Sequence, residues 1–139
     1  MGAAMPQPSF LMASLFVALG GGLGAWLRFV TGRLFIALLG PVRASAFPWS
    51  TLTVNIAGSL AMGLLVGWLA RFGSAGEGTR LFLAVGVLGG FTTFSAFSLE
   101  VINLAQRGQS TLAMFYAAIS VFGGMIGLVV GLSMMRAGA

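Results

Sequence analysis

Cysteine and histidine are absent from this chain, and so are aspartate and lysine. Without Cys there is no disulfide framework, no thiolate nucleophile and no thiolate-bound zinc or iron–sulfur cluster. Without His and Asp there is no Ser-His-Asp or Cys-His machinery. The only carboxylates are Glu77 and Glu100, which leaves no paired-carboxylate hydrolysis. The side chains an enzyme would use are missing. Charge of either sign is scarce as well: 6% of the residues are charged, against about 25% in a soluble domain. The net charge of +5 comes from seven arginines scattered singly, with no basic cluster of the kind that holds a nucleic-acid backbone. What the chain has in excess is apolar surface: 58% hydrophobic residues and a mean hydropathy of +1.04. Its 139 residues amount to one small domain that cannot cover its own surface in water. These features identify an all-α integral membrane protein.

A membrane-crossing helix needs about 20 mostly apolar residues, and the charges divide the chain into such runs. The first begins near Phe10 and continues through Arg28 toward Leu39, where Gly40-Pro41 ends it. The second follows Pro48-Trp49, a helix start and interface anchor. The third starts at Leu81 and passes Glu100, and the last runs from Gly108 to Met135. Four spans are predicted, at approximately 10–39, 48–70, 81–105 and 110–135, in one membrane domain over 1–139. Short polar segments at Gly40–Pro48, Arg71–Arg80 and Gln106–Ser110 join them. No basic region precedes the first apolar run, which argues against a cleaved signal peptide.

Glycine is abundant, and much of it recurs at small-xxx-small spacing: Gly20/Gly24, Gly63/Gly67, Gly86/Gly90 and Gly123/Gly127/Gly131. In lipid this spacing lets helix backbones approach closely, so these positions are expected to be packing seams. The Gly20–Gly24 cluster is no dinucleotide fingerprint, since no strand precedes it and no acidic residue follows at the ribose distance. Four spans put both termini on one side, together with Arg71, Arg80 and Arg136. Arg33, Arg43 and Arg107 fall on the other. Three against three is no bias, and orientation follows bias. Either something else sets the orientation, or both orientations insert and two copies pair antiparallel.

The informative residues are the polar ones inside the spans, where polarity is costly. Thr51, Asn55 and Ser59 stand at i, i+4 and i+8, one polar stripe on one helix face. Interhelical hydrogen bonding and an ion pathway account for that stripe equally well. In the third span, Gly89-Gly90 followed by Thr92-Thr93 is a weak place for a helix. A break at membrane depth frees backbone carbonyls, which are natural ligands for a hard cation. Phe91, Phe94 and Phe97 recur beyond it every three residues, with Thr92, Ser95 and Ser98 alongside, leading toward Glu100. Simple packing accounts for the Phe strip. So does a pathway in which positive ring edges stabilise a small desolvated anion without trapping it. Tyr116 and Ser120 stand at i, i+4 in the last span, where a Tyr hydroxyl commonly marks the membrane interface.

Taken together, Gly20–Arg28 (GGGLGAWLR), Thr51–Gly58 (TLTVNIAG) and Gly89–Glu100 (GGFTTFSAFSLE) resemble, in order, the blocks of the Fluc (CrcB-type) fluoride channels of microbes. The third block is highly specific, and the resemblance covers nearly the whole chain. It implies a multi-pass protein of the cell (inner or plasma) membrane that confers fluoride resistance. The expected assembly is a dual-topology antiparallel homodimer of four-helix subunits, each with a broken third helix. Its two pores would export fluoride passively from the cytoplasm. Phe94 and Phe97 match the paired pore phenylalanines, Asn55 the second-span pore asparagine, and Thr51 lies a turn before it. Gly89 and Thr92 match the positions whose backbone carbonyls hold a central structural Na⁺ at the dimer axis. Arg28 matches a basic residue near the vestibule. Thr93, Ser95, Ser98 and Glu100 fall on or beside the polar track, and Tyr116 and Ser120 match fourth-span hydroxyls. The family carries Thr where this chain has Ala96, and Gly where it has Ser50.

Active export is the alternative, because four-span dual-topology proteins include proton-coupled exporters of other substrates. Those need a first-span carboxylate, and no carboxylate precedes Glu77. A purely structural subunit leaves Asn55 and the third-span hydroxyls without a purpose in the bilayer.

Overall fold

The computed structural model describes residues 7–72 and 76–137. The first six residues and 73–75, within the connector expected over 71–80, lie outside the described residues. Helix α1 spans Phe10–Leu39 and is capped by Ser9, whose hydroxyl accepts from the Met12 N–H at 3.3 Å. It ends at Gly40, whose φ of 78° is costly for any residue with a Cβ. Pro41 then opens a six-residue helix, α2 (Pro41–Ala46), at the position where its fixed φ suits a first turn. The sequence pattern has only a polar connector there. Helix α3 spans Trp49–Phe72.

The third apolar segment is built from four pieces. Helix α4 (Glu77–Arg80) leads into a π-helical stretch over Leu81–Leu88 and a single turn, α5 (Gly89–Phe91). Thr92 and Thr93 are then extended, with φ/ψ of −75°/158° and −151°/125°. Helix α6 (Phe94–Gln106) begins directly after them, capped by the Thr93 hydroxyl, which accepts from the Ala96 N–H at 3.3 Å. Helix α7 spans Ser110–Ala137.

Four segments are long and apolar enough to cross a membrane: Phe10–Leu39, Trp49–Arg71, Glu77–Gln106 and Ser110–Ala137. They pack as two close pairs, α1 with the π-helical stretch and α5, and α3 with α7, while α6 lies against α7. The glycines are the seams of both pairs. A Cβ on Gly24 would meet the Val87 carbonyl, and one on Gly131 would meet the carbonyl of Leu60, so the backbones touch where no side chain intervenes. A small core of Phe47, Leu52, Leu104, Ala113 and Tyr116 closes the end where α3, α6 and α7 meet. Elsewhere the outer surface is apolar, with Phe29, Phe122 and Ile126 all more than half exposed. A helix that is apolar all round is one that faces lipid or another copy.

Candidate functional site

The regular turn of α3 puts Thr51, Asn55 and Ser59 on one face, and that face is turned toward α6 and α7. Asn55 meets the extended pair after α5. Its Oδ1 accepts from the Thr93 N–H at 2.8 Å, and its Nδ2 donates to the Thr93 carbonyl at 3.0 Å. The amide thus replaces the helical acceptor that the Thr93 N–H lacks and adds a donor to the N-cap carbonyl. The break leaves the four carbonyls from Gly89 to Thr92 without α-helical donors, two of them for reasons the side chains make visible. Thr93 N–H, the donor an unbroken helix would give to Gly89 O, goes to Asn55. Ala96 N–H, which would serve Thr92 O, goes to the Thr93 hydroxyl.

One turn earlier in α3, the Thr51 hydroxyl donates to Glu100 Oε1 at 2.7 Å. The Tyr116 hydroxyl donates to Glu100 Oε2, also at 2.7 Å. Both oxygens of the carboxylate are therefore held, one from α3 and one from α7. Tyr116 is fully buried inside the subunit. Phe47 covers it edge-on, with ring centroids 5.4 Å apart at 78°. Phe97 lies against it at 5.4 Å and in turn touches Phe94 at 5.6 Å. A line of four rings runs from Phe94 through Phe97 and Tyr116 to Phe47.

Beside this line is an open cleft of about 560 Å³ lined by Asn55, Ser59, Phe94, Phe97 and Ser120, among others. Phe94 is 78% exposed. Ser120 is buried, and its hydroxyl is without a hydrogen-bond partner among the described residues. The Asn55 amide has a second N–H beyond the one given to Thr93. The cleft thus brings aromatic rings, an amide and hydroxyl-bearing residues together on an otherwise apolar wall.

Thr51, Glu100 and Tyr116 form one hydrogen-bonded group and Asn55 and Thr93 a second, and Phe94, Phe97 and Ser120 line the cleft. Ser95 is linked through its hydroxyl to Thr93 at 3.4 Å. The expected hydroxyl strip of Thr92, Ser95 and Ser98 is not continuous. Thr92 precedes the extended pair and donates back to Leu88 O at 2.9 Å, and Ser98 donates back to Phe94 O at 2.9 Å. The extended residues shift the helical phase, so spacing counted across them misaligns the two sides. Arg28 lines neither the cleft nor the hydrogen-bonded track within one copy. Phe47, Asn103 and Arg107 were not singled out from the sequence as site residues. The last two stand at i+3 and i+7 from Glu100, a spacing that extends the polar face beyond it.

Fold and site together define a multi-pass membrane protein of four apolar helices with a polar, hydrogen-bonded track inside. Comparison with known proteins gives the family. The model described as CrcB-like protein, Camphor Resistance (CrcB), matches residues 15–132. A protein of Novosphingobium aromaticivorans named fluoride-specific ion channel FluC is 60% identical over 126 residues, covering 91% of this chain and 98% of that one. Proteins of the same name from Sphingopyxis alaskensis and Hyphomonas neptunium are 52% identical over 126 residues and 54% identical over 123. They are covered over 97% and 94% of their lengths, by 90% and 88% of this chain. The chain belongs to the CrcB family.

Proposed function

We propose that two copies of this chain, inserted antiparallel, form a fluoride channel with two pores that lets fluoride leave the cytoplasm passively. The observation that carries the reading is the cleft, where the Phe94 and Phe97 rings stand with the Asn55 amide and Ser120. Fluoride is small and strongly hydrated, so it enters only where donors replace its water. Amide, hydroxyl and ring-edge donors do so without the fixed cation that would hold it too tightly to leave. Membership of the CrcB family and relatives named fluoride-specific ion channel support the same reading. So does the exposure of Phe94, which a second copy would cover.

The resemblance implies a structural Na⁺ at the Gly89 and Thr92 carbonyls, and the residues present are compatible with it. They are two of the four carbonyls that the break leaves without α-helical donors, and carbonyl oxygens are hard ligands suited to such a cation. Bound there, the ion would supply positive charge between the two copies and hold them together. Asn55 fixes the backbone at this point through Thr93, and the Thr93 hydroxyl starts α6 so that Phe94 and Phe97 project from its first turn. Thr51 and Tyr116 hold Glu100 to one side of the track.

The test is efflux from liposomes holding purified protein, with fluoride or chloride as the trapped anion and electrodes to read it. Rapid fluoride release with chloride retained is expected. Equal release of both anions, or none, would overturn the reading, and fluoride release stoichiometric with Na⁺ would make the protein a coupled transporter.

A further inference from the structure

We propose that a second cleft, at the C-terminal end of α6, is a mouth that collects small hydrated monovalent anions, with Arg107 as its attracting charge. The inference rests on the channel reading above. This cleft has a volume of about 240 Å³ and is lined by Ser45, Ser50, Glu100, Asn103, Leu104 and Arg107, among others. Glu100 belongs both to it and to the hydrogen-bonded track, so the cleft and the track meet at one carboxylate.

Glu100, Asn103 and Arg107 stand at i, i+3 and i+7 and share one face at the end of α6. The guanidinium is held across the cleft, where Nη1 donates to the Ser45 carbonyl at the end of α2 at 3.3 Å. That leaves most of its five N–H donors available. The Asn103 amide and the Ser50 hydroxyl make no hydrogen bond to another described residue and face the same space. Glu100 alone would repel an anion approaching the track. A fixed guanidinium in the same cleft offsets that repulsion and raises the local anion concentration. Arg107 is suited to the task by place: Arg71 and Arg136 line a separate groove that holds none of the track residues, and Arg80 is paired with Glu77.

The absence of cysteine from the natural chain provides the experiment. Arg107→Cys is purified, labelled in detergent with a thiol reagent carrying either a positive or a negative charge, and reconstituted as dimers for fluoride efflux. At low ionic strength the positive label should keep efflux near that of the unmodified protein. The negative label should lower it by roughly two- to tenfold. The gap should close as salt shortens the screening length from about 30 Å at 0.01 M to about 3 Å at 1 M. Equal efflux with both labels, or an introduced thiol that aqueous reagents do not reach, overturns the proposal. Asn103→Cys carries the same test if the first variant yields no dimers. Fluoride efflux of the unmodified protein is the control, and its absence would sink the channel reading instead.

Discussion

Asn55 grips Thr93 from both sides, accepting its N–H at 2.8 Å and donating to its carbonyl at 3.0 Å. A single side chain thus serves the Thr93 N–H, which has no helical acceptor, and adds a second donor to the carbonyl that opens α6. Asn55→Ala leaves the Thr93 N–H unserved in a low-dielectric setting, at about 1–3 kcal/mol, while the Thr93 carbonyl keeps its place as the first acceptor of α6. Asn55→Asp still accepts from the N–H but turns an oxygen against the carbonyl. Both variants should lose thermal stability in detergent, and both should lose fluoride efflux. An Asn55→Ala protein as stable and as active as the parent would show that the pair contributes nothing.

Tyr116 and Thr51 divide the two oxygens of Glu100 between them. Tyr116→Phe keeps the ring contacts to Phe47 and Phe97 and removes only the donor. The expected result is a folded dimer with fluoride efflux reduced about tenfold, the rate equivalent of one hydrogen bond to a charged group. Thr51→Val should act in the same direction. Unchanged efflux from both variants would mean that the track does not depend on how Glu100 is held.

The seams make a paired prediction. On Gly24 an added Cβ would collide with backbone, whereas on Gly22 it would meet nothing within 4 Å. Gly24→Ala should destabilise by about 1–3 kcal/mol, as overpacking does. Gly22→Ala should be neutral or gain up to about 1 kcal/mol from helix propensity. Thermal melts of the detergent-purified proteins compare them, and a reversed order would contradict the seam.

Orientation can be read directly. Three arginines on each side give no orientation bias, so a reporter fused at the C-terminus should be found on both sides of the membrane in comparable amounts. Adding two or three arginines after Arg71 should fix one orientation and leave copies that are inactive alone. One orientation in the unmodified chain would refute dual topology.

Much of the arrangement is legible in the sequence where helices run unbroken. Thr51, Asn55 and Ser59 share a face in the structure because α3 is regular through them. The seam glycines meet because their spacing is a helical one. Legibility fails where the chain leaves regular geometry. Spacing counted from Thr92 to Ser98 assumes one helix, and the two extended residues void that count. The stretch Leu81–Leu88 is π-helical, yet it is apolar or glycine at every position, so no pattern distinguishes i+5 from i+4 bonding. The burial of Tyr116 depends on Phe47, which precedes α3 in a connector with no periodicity to read.

Phe94 and Phe97 provide the sharpest test, because the structure separates packing from pathway. Phe97 is half-buried against Tyr116, and Phe94 is 78% exposed within one copy. If both rings only pack, replacement by Ile costs about 1–2 kcal/mol at Phe97 and less at Phe94, as near-isosteric apolar changes do. Efflux would then survive in proportion to the dimer recovered. If their ring edges stabilise a desolvated anion, the dimer survives in both variants while efflux falls sharply, because an aliphatic chain has no positive edge to offer. Met should restore part of the flux through its polarizable, adaptable thioether. Phe94→Ile is the more decisive of the two, since its ring has little packing within the subunit to lose. Gel filtration for dimer content and fluoride efflux from liposomes decide between the accounts. Full-speed efflux from an intact Phe94→Ile dimer would remove the ring-edge mechanism.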